Sequence, residues 1–201
     1  MTDLPGTSGV RLPRLPAEEL LRWSPVAAVV LVAMGASLAT ANGLPGLVAA
    51  CLVPVLAAIA LVDARRFIIP DELTLAAVVL GLIHAGATGW TAGEGIALAV
   101  LRGAVLATMF LALRVGYRAW RDRAGLGLGD VKLAFAMGVW LDWPAMPWAI
   151  DLAAGSALAA YVLRQKLGGR RLRRAGRLPF GLFLAPAIWA GWCLQNWFPL
   201  S

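Results

Sequence analysis

"GLGLGDVKLAFAMGVWLDW", residues 125–143, decides the fold. Alternate glycines run up to Asp130 and Lys132, and then the chain turns almost wholly apolar. An ionised side chain is costly inside hydrocarbon, so this stretch reads as a membrane helix with an acid at its rim. The rest of the chain agrees. Of its 201 residues, 60% are hydrophobic and 14% charged, which leaves too little polar surface for a soluble domain of this length.

A crossing needs roughly 20 apolar residues to cover about 30 Å of hydrocarbon. Candidate spans fall at about 25–41, 45–62, 72–89, 95–115, 130–143, 147–163 and 180–198. The expected fold is therefore all-α: a polytopic membrane helical bundle of about seven transmembrane helices, or six if the short fifth segment is re-entrant. Residues 1–24 carry Pro5, Pro13 and Pro16 among arginines and glutamates. They read as a short cytoplasmic tail with no cleavable signal peptide, and 25–201 as one membrane-embedded domain.

With the N-terminus inside, alternating spans place every lysine and arginine except Arg102 on the cytoplasmic side. The connections near 42–45, 89–94 and 142–147, on the other side, carry none. The formal charge of +7 thus orients the chain in a bilayer, and the arginine run 170–174 is expected to contact lipid and not nucleic acid. A re-entrant fifth segment would send that run outside, so 130–143 is taken to span. Fourteen residues reach only about 21 Å, which leaves Asp130 recessed below the cytoplasmic surface.

Asp63 closes the second span in "LVDARRFIIPDELT" (61–74), and Asp130 opens the fifth. The topology puts both at one depth, on the cytoplasmic edge. Two carboxylates held close cannot both ionise easily and so share a proton. One then acts as base towards a water while the protonated one donates to a scissile carbonyl. That chemistry hydrolyses a peptide with no metal, cofactor or covalent intermediate. Which acid is the base stays open, because such a pair titrates as a unit. Gly125, Gly127 and Gly129 let another chain approach closely, and their free backbone groups suit an extended substrate. A phosphate cradle fits poorly: there is no GK[ST], and Asp130 stands where the dinucleotide pattern wants glycine.

Other residues carry plainer readings. Cys51 and Cys193 lie in apolar runs without a CxxC partner or nearby histidine, so no zinc site or disulfide is expected. His84, the only histidine, reads as packed or hydrogen-bonded. Arg102 is expected to reach Glu94 or the outer surface by snorkelling. Asp142 and Asp151 fall towards the outer face. Trp140, Trp143, Trp148, Trp189, Trp192 and Trp197 read as an outer aromatic belt. The competing class is a non-enzymatic transporter or assembly factor whose buried aspartates bind protons or cations. That class favours midplane charges and an internal repeat. Here the candidate acids stand at the edge, and no repeat is evident.

Three stretches together carry a resemblance. The chain resembles the type IV prepilin peptidases, the GxGD-type membrane aspartyl proteases, in "LVDARRFIIPDELT" (61–74), "GLGDVKLAFAMGVWLDW" (127–143) and "LPFGLFLAPAIW" (178–189). The resemblance implies that Asp63 and Asp130 are the catalytic pair and that Gly127 and Gly129 shape the loop. Lys132, Pro70 and Asp71 would support it. It implies a prepilin or pilin-like precursor as partner, a bacterial cytoplasmic membrane as location, and no cofactor. Leu182 stands where many relatives have proline, which leaves the local turn open. Longer members carry a domain with paired cysteines associated with methylating the new N-terminus. With only Cys51 and Cys193, this chain is expected to be a peptidase-only form.

Overall fold

The computed structural model describes residues 17–89, 91–121, 126–168 and 179–198, with side chains for 24–89, 91–120, 126–166 and 179–198. The start of the expected tail, Gly125 and the arginine run 170–174 lie outside them. Among the described residues all regular structure is helical: α1 (Ala17–Thr40), α2 (Leu44–Arg66), α3 (Asp71–Thr88), α4 (Ala92–Arg121), α5 (Leu128–Trp140), α6 (Ala145–Gly168) and α7 (Gly181–Trp197). Four stretches are long and apolar enough to cross a membrane: Leu44–Arg66, Asp71–Thr88, Ala92–Trp120 and Ala145–Lys166. Ser24–Thr40 in α1 is a shorter apolar stretch. The fifth helix is as short as its sequence suggests, 13 residues or about 20 Å.

The breaks follow local chemistry. Gly43 takes a left-handed φ of 71°, and Pro45 follows in the first turn of α2, where its missing N–H costs nothing. Phe67 ends α2 with a φ of 55°, an uncommon conformation for a residue with a Cβ, and donates its N–H to the Asp63 carbonyl at 2.9 Å. Pro70 is extended and opens α3, its carbonyl accepting the Thr74 hydroxyl at 3.0 Å. Several helices outrun the apolar runs that announce them. α1 begins at Ala17, inside the stretch read as tail, and α4 continues to Arg121. Helical hydrogen bonds are satisfied within the segment, so a helix has no need to stop where hydrocarbon does.

α5 is the axis of the bundle. It packs against α3, α4 and α7 and buries Leu133, Ala134, Ala136, Met137 and Trp140. α4 approaches it backbone to backbone: a Cβ at Gly138 would meet the Arg102 carbonyl at 2.6 Å and the Gly103 Cα at 2.7 Å. α2 packs on α3 and α7, α1 lies outside α2, and α6 rests on α7. No extensive face joins α2 to α5.

Two expectations need correction. Trp140 and Trp192 are core residues, not belt residues. Their ring nitrogens donate to the Ala77 carbonyl at 2.8 Å and to His84 Nε2 at 3.1 Å. Trp189 is partly buried and donates to Ser37 Oγ at 2.9 Å, whereas Trp143, Trp148 and Trp197 are exposed. An indole is buried readily when its one N–H finds an acceptor, and helix packing supplied three. Arg102, expected to reach Glu94 or the outer surface, does not take Glu94 but pairs with Asp142, the acid expected towards the outer face. Arg102 immediately precedes Gly103 at the contact with Gly138, and Asp142 stands four residues beyond Gly138, so the close approach of α4 to α5 brings the guanidinium within reach of the acid beyond that helix's end. His84 is buried and hydrogen-bonded, its ring centred 5.0 Å from that of Trp140.

Candidate functional site

Asp63 lies in the last turn of α2 and Asp130 in the first turn of α5; both are buried, at 5% and 9% exposure. They line one cavity of about 300 Å³ together with Gly127, Gly129, Ile69 and Lys132. Sixty-seven residues apart in sequence, the two acids come near enough for Asp130 to feel the charge of Asp63.

Each carboxylate is held by backbone. Asp130 is the third residue of α5, and its Oδ2 accepts the N–H of Gly127, the residue capping that helix, at 2.9 Å. This is half of a capping box; glycine has no side chain to supply the other half. A Cβ at Gly127 would come within 3.1 Å of the same oxygen. Asp63 is held by a different element. Its Oδ2 accepts the Leu182 N–H at 3.0 Å in the first turn of α7, where that donor has no partner within its own helix. A carboxylate from α2 thus caps α7, and the partial positive charge of that helix end favours it.

Of the residues expected to support the pair, Lys132 bonds Asp71 through its Nζ to Oδ1 at 2.7 Å, tying the start of α3 to α5 at the cavity rim. Pro70 sets the start of α3. Gly129 faces Ile69, not a free space. The Arg114 guanidinium bonds the Leu126 carbonyl, anchoring the glycine segment to α4 and adding positive charge on that side of Asp130. Sequence reasoning assigned no role to Ile69, Arg114, Gly181 or Leu182. Gly181 and Leu182 belong to the quoted 178–189 stretch, but a backbone N–H aimed at a distant acid leaves no mark in a sequence. A larger hollow of about 860 Å³, lined by Phe110, Leu113, Tyr117, Leu126 and Phe180, lies alongside. It is almost wholly apolar and no carboxylate lines it, whereas Asp63 and Asp130 both line the smaller cavity. Among the described residues no three of His, Cys, Asp and Glu are grouped to hold a metal ion.

A family model described as the type IV leader peptidase family matches residues 50–163, which include both acids. The chain belongs to the type IV leader peptidase family. A leader peptidase of Escherichia coli, HopD, is 33% identical over 132 residues, covering 65% of this chain and 82% of that protein. Prepilin leader peptidase/N-methyltransferases are similar too. That of Aeromonas hydrophila is 30% identical over 88% of this chain and 57% of its own length. That of Dickeya chrysanthemi is 34% identical over 64% and 44%. The chain thus spans about half the length of these two longer relatives. No solved structure matches. The segment matched by the type IV leader peptidase family ends before α7, so it contains Asp63 but not Leu182, which holds it.

Proposed function

We propose that this chain is an aspartic endopeptidase of the bacterial cytoplasmic membrane that removes the leader peptide from type IV pilin-like precursors. The observation that carries the reading is the meeting of Asp63 and Asp130, from two helices without an extensive shared face, on one cavity. A water between them loses a proton to the ionised carboxylate and attacks the scissile carbonyl. The protonated partner donates to the carbonyl oxygen. The tetrahedral intermediate collapses with cleavage of the C–N bond, and the leaving amine takes up a proton, so one water is consumed for each peptide bond cut. Backbone donors at Gly127 and Leu182 occupy one oxygen of each acid and keep the carboxyl planes fixed while the other oxygens meet water and substrate.

The substrate class fits the site's place. A pilin-like precursor has a short basic leader, a glycine and then an apolar helix that lies in the membrane. Its cleavage point is at the membrane edge, the depth at which alternating topology with a cytoplasmic N-terminus puts both acids. Asp63, Asp71, Glu72 and Asp130 offset the positive charge of the cytoplasmic face as the leader arrives, and anionic lipid attracts both partners. Methylation of the new N-terminus is not assigned to this chain.

The test replaces Asp63 or Asp130 by asparagine, which keeps size and hydrogen bonding and removes the acid. Purified variants should remain helical and monodisperse, yet leave a pilin-like precursor uncut on a mobility gel. Cleavage persisting in either variant defeats the proposal.

A further inference from the structure

Asp63 and Asp130 stand on helices without an extensive packed face, so their separation is set through the helices that both pack on, α3 and α7, and through the side chains between them. Ile69, in the turn joining α2 to α3, is 7% exposed and lines the same cavity. A Cβ added at Gly129 would meet Ile69 Cβ at 2.9 Å, Cγ1 at 3.2 Å and Cδ1 at 3.3 Å. One added at Gly181 would meet Ile69 Cδ1 at 2.8 Å and the Asp63 carboxylate at 2.9 Å. A single side chain therefore lies against the residue preceding Asp130 and against the residue that borders the Asp63 carboxylate. Neither glycine has a positive φ, so what both positions require is room and not an unusual backbone. Isoleucine suits the place because a β-branched side chain is stiff at χ1 and holds a constant width.

We propose that Ile69 is a positioning residue for the acid pair: seated on Gly129 and Gly181, it sets the spacing of Asp63 and Asp130. The inference rests on those acids being the reacting groups. Its consequence is kinetic. A spacer error of about 1 Å disturbs alignment of water, carbonyl and acids, which costs up to roughly 100-fold in turnover, while substrate binding along the rest of the chain is little affected.

The test uses the full chain in lipid nanodiscs with a synthetic pilin-like precursor, reading kcat and KM separately. Ile69→Ala and Gly181→Ala should each lower kcat by roughly 10- to 100-fold with KM nearly unchanged. Adding Ile69→Val to Gly181→Ala should recover part of kcat and not all of it, because valine lacks the Cδ1 that lies 2.8 Å from the new Cβ while the contact of that Cβ with Asp63 Oδ2 at 2.9 Å remains. The same valine should not rescue Gly129→Ala, since that clash is with Ile69 Cβ, which valine keeps. Thermal melting checks that each variant is folded; if Ile69→Ala is not, the smaller Ile69→Val and Gly181→Ala pair decides. Recovery of Gly129→Ala by as much as Gly181→Ala overturns the spacer, as does full kcat in a folded Ile69→Ala or an effect confined to KM. Asp63→Asn and Asp130→Asn run alongside. If they are inactive while Ile69→Ala and Gly181→Ala keep full kcat, the spacer alone fails. If either retains activity, the reading of the pair as reacting groups fails instead.

Discussion

α5 has a polar cluster at each end, and the two are held in opposite ways. At its start, Asp130 is tied by a backbone N–H and opens onto a cavity shared with Asp63. Just past its other end, Asp142 is claimed by the Arg102 guanidinium, and its own N–H donates to Gln195 Oε1 at 2.9 Å. Gln195 in turn donates to the Trp140 carbonyl at 3.2 Å, while His84 accepts from Trp192 nearby. A carboxylate locked to a cation is spent on structure. One satisfied by backbone at a single oxygen keeps its other oxygen for chemistry. The same residue type, 12 positions apart at the two ends of one helix, thus meets two different surroundings.

The sharpest way to break that contrast is to make one substitution at both ends. Asp130→Asn should lower kcat for leader cleavage by roughly 10²- to 10⁴-fold, the usual worth of acid–base catalysis, with little change in melting temperature. Asp142→Asn should do the reverse. Cleavage stays near the parent rate, and stability falls by roughly 1–3 kcal/mol, because Arg102, only 15% exposed along its side chain, loses its charged partner. Equal kinetic losses from both would mean that the two clusters are not functionally distinct.

Gly138→Ala acts between the clusters and should destabilise by about 1–3 kcal/mol or more, since the new Cβ meets backbone of α4 that cannot turn aside. Melting in detergent reads it, and an unchanged melting temperature would mean that α4 and α5 are less tightly apposed than described. His84→Ala leaves the buried Trp192 N–H without its acceptor and opens space beside Trp140. A loss of roughly 1–3 kcal/mol with unaltered kcat is expected. A fall in kcat would instead couple this cluster to the acid pair.

The smallest effect belongs to Lys132→Ala. Its partnership with Asp71 is largely open to solvent, with side chains 49% and 70% exposed, so stability should change by at most about 1 kcal/mol. Any larger loss of cleavage, measured at matched folding, would give Lys132 a part in orienting the α3–α5 rim beyond that of an ion pair.

How much was legible beforehand differs by kind of residue. The helices were, because runs of apolar residues bounded by Gly, Pro and charge have few other outcomes in a chain this hydrophobic. Asp63 and Asp130 stood out because a carboxylate at the edge of such a run has no cheap explanation. Trp140 and Trp192 misled: an indole in a belt and one in a core look alike in sequence, and only a neighbour's acceptor separates them. The partner of Arg102 was not legible either: Glu94 is near it along the chain, and Asp142 comes within reach only once α4 and α5 are packed at Gly103 and Gly138.

The amino-acid order by itself determined an all-helical membrane bundle, the shortness of α5 and the identity of the two candidate acids. These depend on the cost of placing polar groups in hydrocarbon, which is a property of each segment alone. Only the tertiary structure decided that Leu182 holds Asp63, that Ile69 lies on Gly129 and Gly181, and that Arg102 takes Asp142. Those contacts join residues far apart along the chain, and their distances exist only once the helices have found their packing.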